Sequence, residues 1–140
     1  MSIEVIAYIL AVLGLVVVVL TRIRLRKERV AGRTHVPSLV VNLHTVLGLV
    51  GMGLWIAYLA APGDSPLGSP LLGIIALACL WVVAVCGLLI LARWLPSRGR
   101  HVSEVTEDSW SDGPGLSVLA HVGMVVGVAV FTVGYMVGTL

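Results

Sequence analysis

Two histidines stand inside otherwise apolar segments. They are His44 and His121, and each lies seven residues after a proline, Pro37 and Pro114. Ionisable side chains are expensive within a bilayer and tend to mark function there. Proline favours the first turn of a helix. At 1.5 Å rise per residue, seven residues place each imidazole roughly 10 Å into its helix. If both helices run in the same direction, the two rings lie at matched depth. A matched pair of neutral imidazoles can bind a metal from opposite sides. Six-coordinate haem b needs such a pair, with two nitrogens about 2 Å from the iron on opposite faces of the ring.

A porphyrin also needs a smooth wall and cations for its carboxylates. Gly48 and Gly51 follow His44 by four and seven positions, on its own helical face, with Trp55 at eleven. Arg33 and Arg100 stand beside His35 and His101 at the same end as the two matched histidines, where charge-assisted pairing with propionates is expected. Both arginines are equally accounted for by membrane topology. His35 and His101 read either as solvated side chains or as lining for a quinone headgroup or a second metal.

Other readings of His44 and His121 stay open. A histidine pair can hydrogen-bond across helices or handle protons. No carboxylate or thiol is placed to complete a zinc or copper site. Met124 is one turn from His121, but methionine is a common filler of membrane helices.

The elements that must hold these residues follow from composition. Of the 140 residues, 59% are hydrophobic and 11% charged, too little charge to cover a soluble surface. Four apolar stretches carry the excess, roughly 3–20, 36–61, 71–92 and 116–140, each near the ~20 residues that span a bilayer as a helix. Ile23 and Leu25 can extend the first. The expected fold is an all-α, four-transmembrane-helix bundle forming one integral membrane domain over residues 1–140.

Charge sets the orientation. All nine cations fall in two places: Arg22, Arg24, Arg26, Lys27, Arg29 and Arg33 after the first stretch, and Arg93, Arg98 and Arg100 after the third. The positive-inside rule puts both basic loops in the cytoplasm and both termini outside, in a plasma membrane. Met1-Ser-Ile-Glu4 offers no basic region ahead of the first apolar run, which reads as a retained helix rather than a signal peptide. Trp94 and Trp110 are expected at the inner interface, and Tyr8, Tyr58 and Tyr135 toward the outer side.

The short Pro62–Ser69 loop is a Pro/Gly turn, so helices 2 and 3 read as antiparallel neighbours. A weak repeat adds to this order. Pro37-Ser-Leu-Val-Val-Asn-Leu-His44 and Pro114-Gly-Leu-Ser-Val-Leu-Ala-His121 share proline, leucine, valine and histidine at the same offsets. The chain thus reads as two similar helix–basic loop–helix units. Within the second basic loop, the segment 103–112 carries four acids, Glu104, Glu107, Asp108 and Asp112, and reads as a solvated segment or a docking surface for a basic partner. Cys79 and Cys86 are two turns apart on one helix, too far to bridge, and read as small hydrophobes.

Leu43-His-Thr-Val-Leu-Gly48 and Ala120-His-Val-Gly123 resemble segments of small four-helix membrane b-type cytochromes, the cytochrome b561-like class. The resemblance covers helices 2 and 4. It implies one haem at most, because larger members use four intramembrane histidines and this chain has two.

Two functions follow as expectations. The first is an electron carrier with one bis-histidine haem, exchanging electrons with quinone or a partner subunit, rather than a complete enzyme. The second is a structural or assembly subunit of a larger membrane, respiratory complex. A small multimeric transporter is a weaker third, since intramembrane polar groups are scarce. The partners expected are membrane lipid, quinone, and other membrane subunits or further copies of the chain. The basic loops suit anionic lipid headgroups without calling on nucleic acid. No phosphate-binding glycine loop, nucleophile–base pattern or zinc motif is present.

Overall fold

The computed structural model describes residues 2–30, 36–98 and 115–140, apart from the side chains of 28 and 95–98. Four helices fill these segments: α1 (Ile3–Val30), α2 (Ser38–Ala60), α3 (Pro70–Arg98) and α4 (Gly115–Met136). All four are long and apolar enough to cross a membrane, and no strand occurs among the described residues.

The helix ends follow local chemistry. Ser2 Oγ accepts from the Val5 amide, and Glu4 sits in the first turn of α1, where the helix dipole favours an acid. Lys27 and Arg29 occupy its last turn, where the dipole favours cations. The helix therefore continues through Arg22, Arg24 and Arg26 well past the apolar run ending at Leu20. α2 starts directly after Pro37 and stops at Ala60, where Ala61 is extended and Pro62 follows. A short 3-10 turn, Pro66–Gly68, links it to α3, with Ser65 Oγ accepting from the Gly68 amide. A Cβ on Gly68 would collide with the Pro62 carbonyl, so this turn needs glycine. α4 closes at Gly138, whose φ of 70° suits a residue without a side chain, while the Thr139 amide bonds back to Gly134 O.

The buried stripes repeat every seven residues. Gly73, Leu80, Gly87 and Trp94 are all buried on α3, as are Val41, His44, Gly48, Gly51 and Trp55 on α2. Ala7, Ala11, Gly14, Val18 and Leu25 form the stripe of α1, and His121 and Val128 lie on that of α4. This 3–4 spacing is the seam of a left-handed helical bundle. Glycine and alanine at so many seam positions let backbones approach, which is how helices associate where lipid removes the hydrophobic drive. Large aliphatic side chains such as Val12, Leu20, Leu39 and Val85 are more than half exposed, as a lipid-facing surface requires.

Neighbours follow chain order. α1 packs on α2, α2 most extensively on α3, and α3 on α4, while α4 closes on α1 through the thinnest seam. No close backbone approach joins α1 to α3 or α2 to α4 among the described residues. The two histidine-bearing helices are therefore diagonal across the bundle. Trp94, near the basic end of α3, is 3% exposed and packs between helices.

Candidate cofactor site

His44 and His121 are each the seventh residue of their helix, because α2 and α4 both begin just after a proline. The matched spacing becomes a matched height. Among the described residues they are the only buried polar side chains, 3% and 8% exposed. Their ring centroids are 6.3 Å apart and the rings are tilted by 32°. Two imidazoles sharing one metal at about 2 Å per nitrogen hold their centroids at roughly this separation.

Hydrogen bonding sets one ring's chemistry. His121 Nδ1–H donates to the backbone carbonyl of Ser117, one turn earlier, at 2.6 Å. That bond places the proton on Nδ1 and leaves Nε2 with a bare lone pair. Histidine ligands to metals are commonly held by such a partner on the far nitrogen. His121 Nε2 is itself fully buried with no hydrogen-bond partner. Buried polar atoms without partners are rare and call for a reason.

Gly87 of α3 faces both rings. A Cβ there would stand 2.9 Å from His121 Cδ2, 3.4 Å from His44 Nε2 and 3.6 Å from His121 Nε2. Both Nε2 atoms thus converge on one spot that only glycine leaves clear. The sequence reading missed this residue, since Gly87 lies in a long apolar stretch with no polar neighbour. The signal that finds it is the sevenfold series Gly73, Leu80, Gly87, Trp94.

The glycines beside His44 serve other contacts. A Cβ on Gly48 would stand 2.7 Å from Val18 Cγ2 of α1, and one on Gly51 would stand 2.9 Å from Cys79 Cβ of α3. Both are places of close helix approach, so the smooth strip they make is occupied by neighbouring helices. Gly123 meets nothing within 4 Å and is exposed. Met124 lines the cavity at the rings, but its Cε lies 3.0 Å from where a Cβ on Gly14 would stand, turned toward α1.

A second layer lies toward the basic end. Arg24 of α1 donates to Ser117 Oγ at 3.1 Å, and its guanidinium sits 4.6 Å from the Trp94 ring centroid. Arg24, Ser117 and His121 therefore form one connected set across α1 and α4. Arg33, Arg100, His35 and His101 lie outside the described residues, as do Trp110 and the acidic segment.

Donors and space answer differently to a haem. The donors fit an axial pair: convergent rings, an orphaned Nε2, a fixed tautomer and a glycine cradle. The cavity at the rings is only about 10 Å³, walled by Val17, Val18, Val83, Ala84 and Met124. Pockets for ligands of that size run to several hundred Å³. A macrocycle would need the helices around the rings to stand further apart than they do here. Among the described residues no group of three or more histidine, cysteine or carboxylate side chains is placed to hold a metal.

Comparisons with protein-family models, with curated proteins and with solved structures find no match. The cytochrome resemblance therefore rests on the two histidine segments alone.

Proposed function

We propose that this chain is a membrane b-type cytochrome that carries electrons through one haem b held by His44 and His121. The observation that carries this reading is the pair of buried imidazoles converging from diagonal helices, one with an unpartnered Nε2. A haem held by both histidines would supply single-electron transfer, with neither face left open to oxygen or substrate. The chain's own residues then have defined tasks. Ser117 O holds the His121 tautomer, Gly87 keeps the space between the rings free of a side chain, and Arg24 braces Ser117 from the basic end. The redox partner in this proposal is a quinone or another membrane subunit at the cytoplasmic face. The oxidised and reduced forms differ by one charge in a low-dielectric bundle, so Arg24 would favour the reduced form.

A second reading, a structural subunit of a larger membrane complex, is favoured by one observation. The rings are already enclosed, with about 10 Å³ to spare. Colour separates the two. The test is a reduced-minus-oxidised visible spectrum of the detergent-purified chain, supplied with haem, beside His44→Ala and His121→Ala. A sharp b-type band that either substitution removes supports the carrier. A chain that stays colourless with haem in excess overturns it and leaves the subunit.

A further inference from the structure

A cavity of about 440 Å³ lies between α1 and α2 at the basic end, away from the histidine pair. Arg22, Arg26 and Arg29 of α1 line it, with Ser38 and Asn42 of α2 opposite. Positions 22, 26 and 29 share one helical face at spacings of four and three. Arg24 is half a turn away and serves Trp94 and Ser117 instead. One helix end thus presents two arginine faces with different duties.

The cavity is electropositive by construction. Arg22 gives one bond to Asn42 Oδ1 at 2.6 Å, and Arg29 gives one to Val36 O at 2.9 Å. Each guanidinium carries five donors, so most remain for a ligand. Among the described side chains, no carboxylate lines the cavity. α2 opens onto it at Ser38, and its Pro37 cap supplies no side-chain hydrogen bond, so among the described residues no side chain caps the positive end of that helix dipole. Three like charges on one exposed face repel one another modestly, and a bound anion would relieve that repulsion. Planar guanidiniums match phosphate oxygens in pairs, and this arrangement favours phosphate over a simple halide. Ile23, Leu25 and Val41 complete the wall with aliphatic surface.

We infer that this cavity is a binding site for a phosphate-bearing anion, with the phosphodiester of an anionic lipid headgroup as the source that best fits its apolar wall. Juxtamembrane cations attract anionic lipid in general. The inference here is narrower: a shaped site that discriminates position, independent of whether haem binds at the histidines.

The test uses the full chain in lipid nanodiscs of phosphatidylcholine doped with phosphatidylglycerol, with bound lipid counted by native mass spectrometry. Three variants are compared: Arg26→Gln with Arg29→Gln; Ile23→Trp, which fills the cavity without changing charge; and Lys27→Gln with Arg93→Gln, which removes two cations outside it. Helicity by circular dichroism confirms that each is folded. The first two should weaken phosphatidylglycerol retention roughly tenfold or more, and the third by less than about threefold. Inorganic phosphate is then titrated in. Displacement of lipid at millimolar phosphate supports the site with a soluble source, and resistance to it supports the lipid. Equal losses in the first and third variants, or wild-type retention in Ile23→Trp, would overturn the proposal and leave only general surface charge.

Discussion

The two halves of this bundle use the same helical stripes for opposite ends. On α2, His44 and Trp55 lie eleven residues apart on one seam. Around Trp55 the seam is filled with volume. Its ring stacks on Phe131 at 5.1 Å and on Tyr58 at 5.4 Å, and Met52, Ala76 and Leu80 close the cluster with exposures of 1% or less. Around His44 the seam carries donors, a glycine and, one turn on, an arginine–tryptophan contact. Helices in lipid are held by close packing rather than by escape from water. The aromatic half supplies that packing, which lets the basic half carry groups that packing alone would reject.

This division predicts a crossed outcome, and it is the largest effect expected. His44→Ala or His121→Ala should abolish the b-type band in haem-supplied protein. Their effect on unfolding should stay within about 2 kcal/mol, as for loss of a modest buried side chain. Trp55→Ala should do the reverse, costing about 3–5 kcal/mol through the cavity it leaves. Its band, where folded protein remains, should keep its position. A denaturant titration followed by circular dichroism, run beside the visible spectrum, reads both axes. If the histidine variants unfold as readily as Trp55→Ala, the polar pair is holding the bundle and the comparison fails.

Gly87→Leu sharpens the same contrast at one site. A Cβ at this position already comes within 2.9 Å of His121 Cδ2, and leucine adds three further carbons. Haem retention should fall by about tenfold or more while helicity survives, because the intrusion meets side chains rather than backbone. Gel filtration with absorbance at the haem band reads the retained fraction. A Gly87→Leu chain that holds haem like the wild type would remove Gly87 from the site.

Arg24→Gln is expected to act more weakly. It removes a cation over Trp94, worth about 0.5–2 kcal/mol, and the bond to Ser117 Oγ. Losing a positive charge near the rings should lower the haem midpoint potential in a redox titration while the band remains. An unchanged potential would confine Arg24 to packing.

Much of this arrangement was legible in the sequence, and the reasons are physical. Four spans stand out because lipid demands long apolar runs, and the prolines before His44 and His121 fix their common height. Ile23 and Leu25 already pointed to an extension of α1 past Leu20, and the helix runs on to Val30 through residues whose charges favour its C-terminal dipole. The diagonal placement of α2 and α4 was not legible, because neighbour order depends on packing between surfaces that all look alike to hydropathy. Gly87 and the Ser117 carbonyl were missed for a related reason: a backbone acceptor and an absent side chain leave no polar mark.

The smallest expected effect is at Trp55 itself, and it probes whether the aromatic half is packing alone. Trp55 is 0% exposed, and its Nε1–H is buried with no hydrogen-bond partner. An unpaired buried donor costs about 1–3 kcal/mol. Trp55→Phe deletes that donor but also part of the ring, and a large-to-small change in a packed core costs a similar amount. The two terms oppose, so the net change in unfolding free energy should lie within about 1 kcal/mol, far from the loss in Trp55→Ala. Phenylalanine retains an aromatic face toward Phe131 and Tyr58, which preserves the stacking. A denaturant titration comparing the two substitutions decides the matter. If Trp55→Phe were as damaging as Trp55→Ala, the indole N–H would have to be engaged, and the aromatic half would carry a polar interaction of its own.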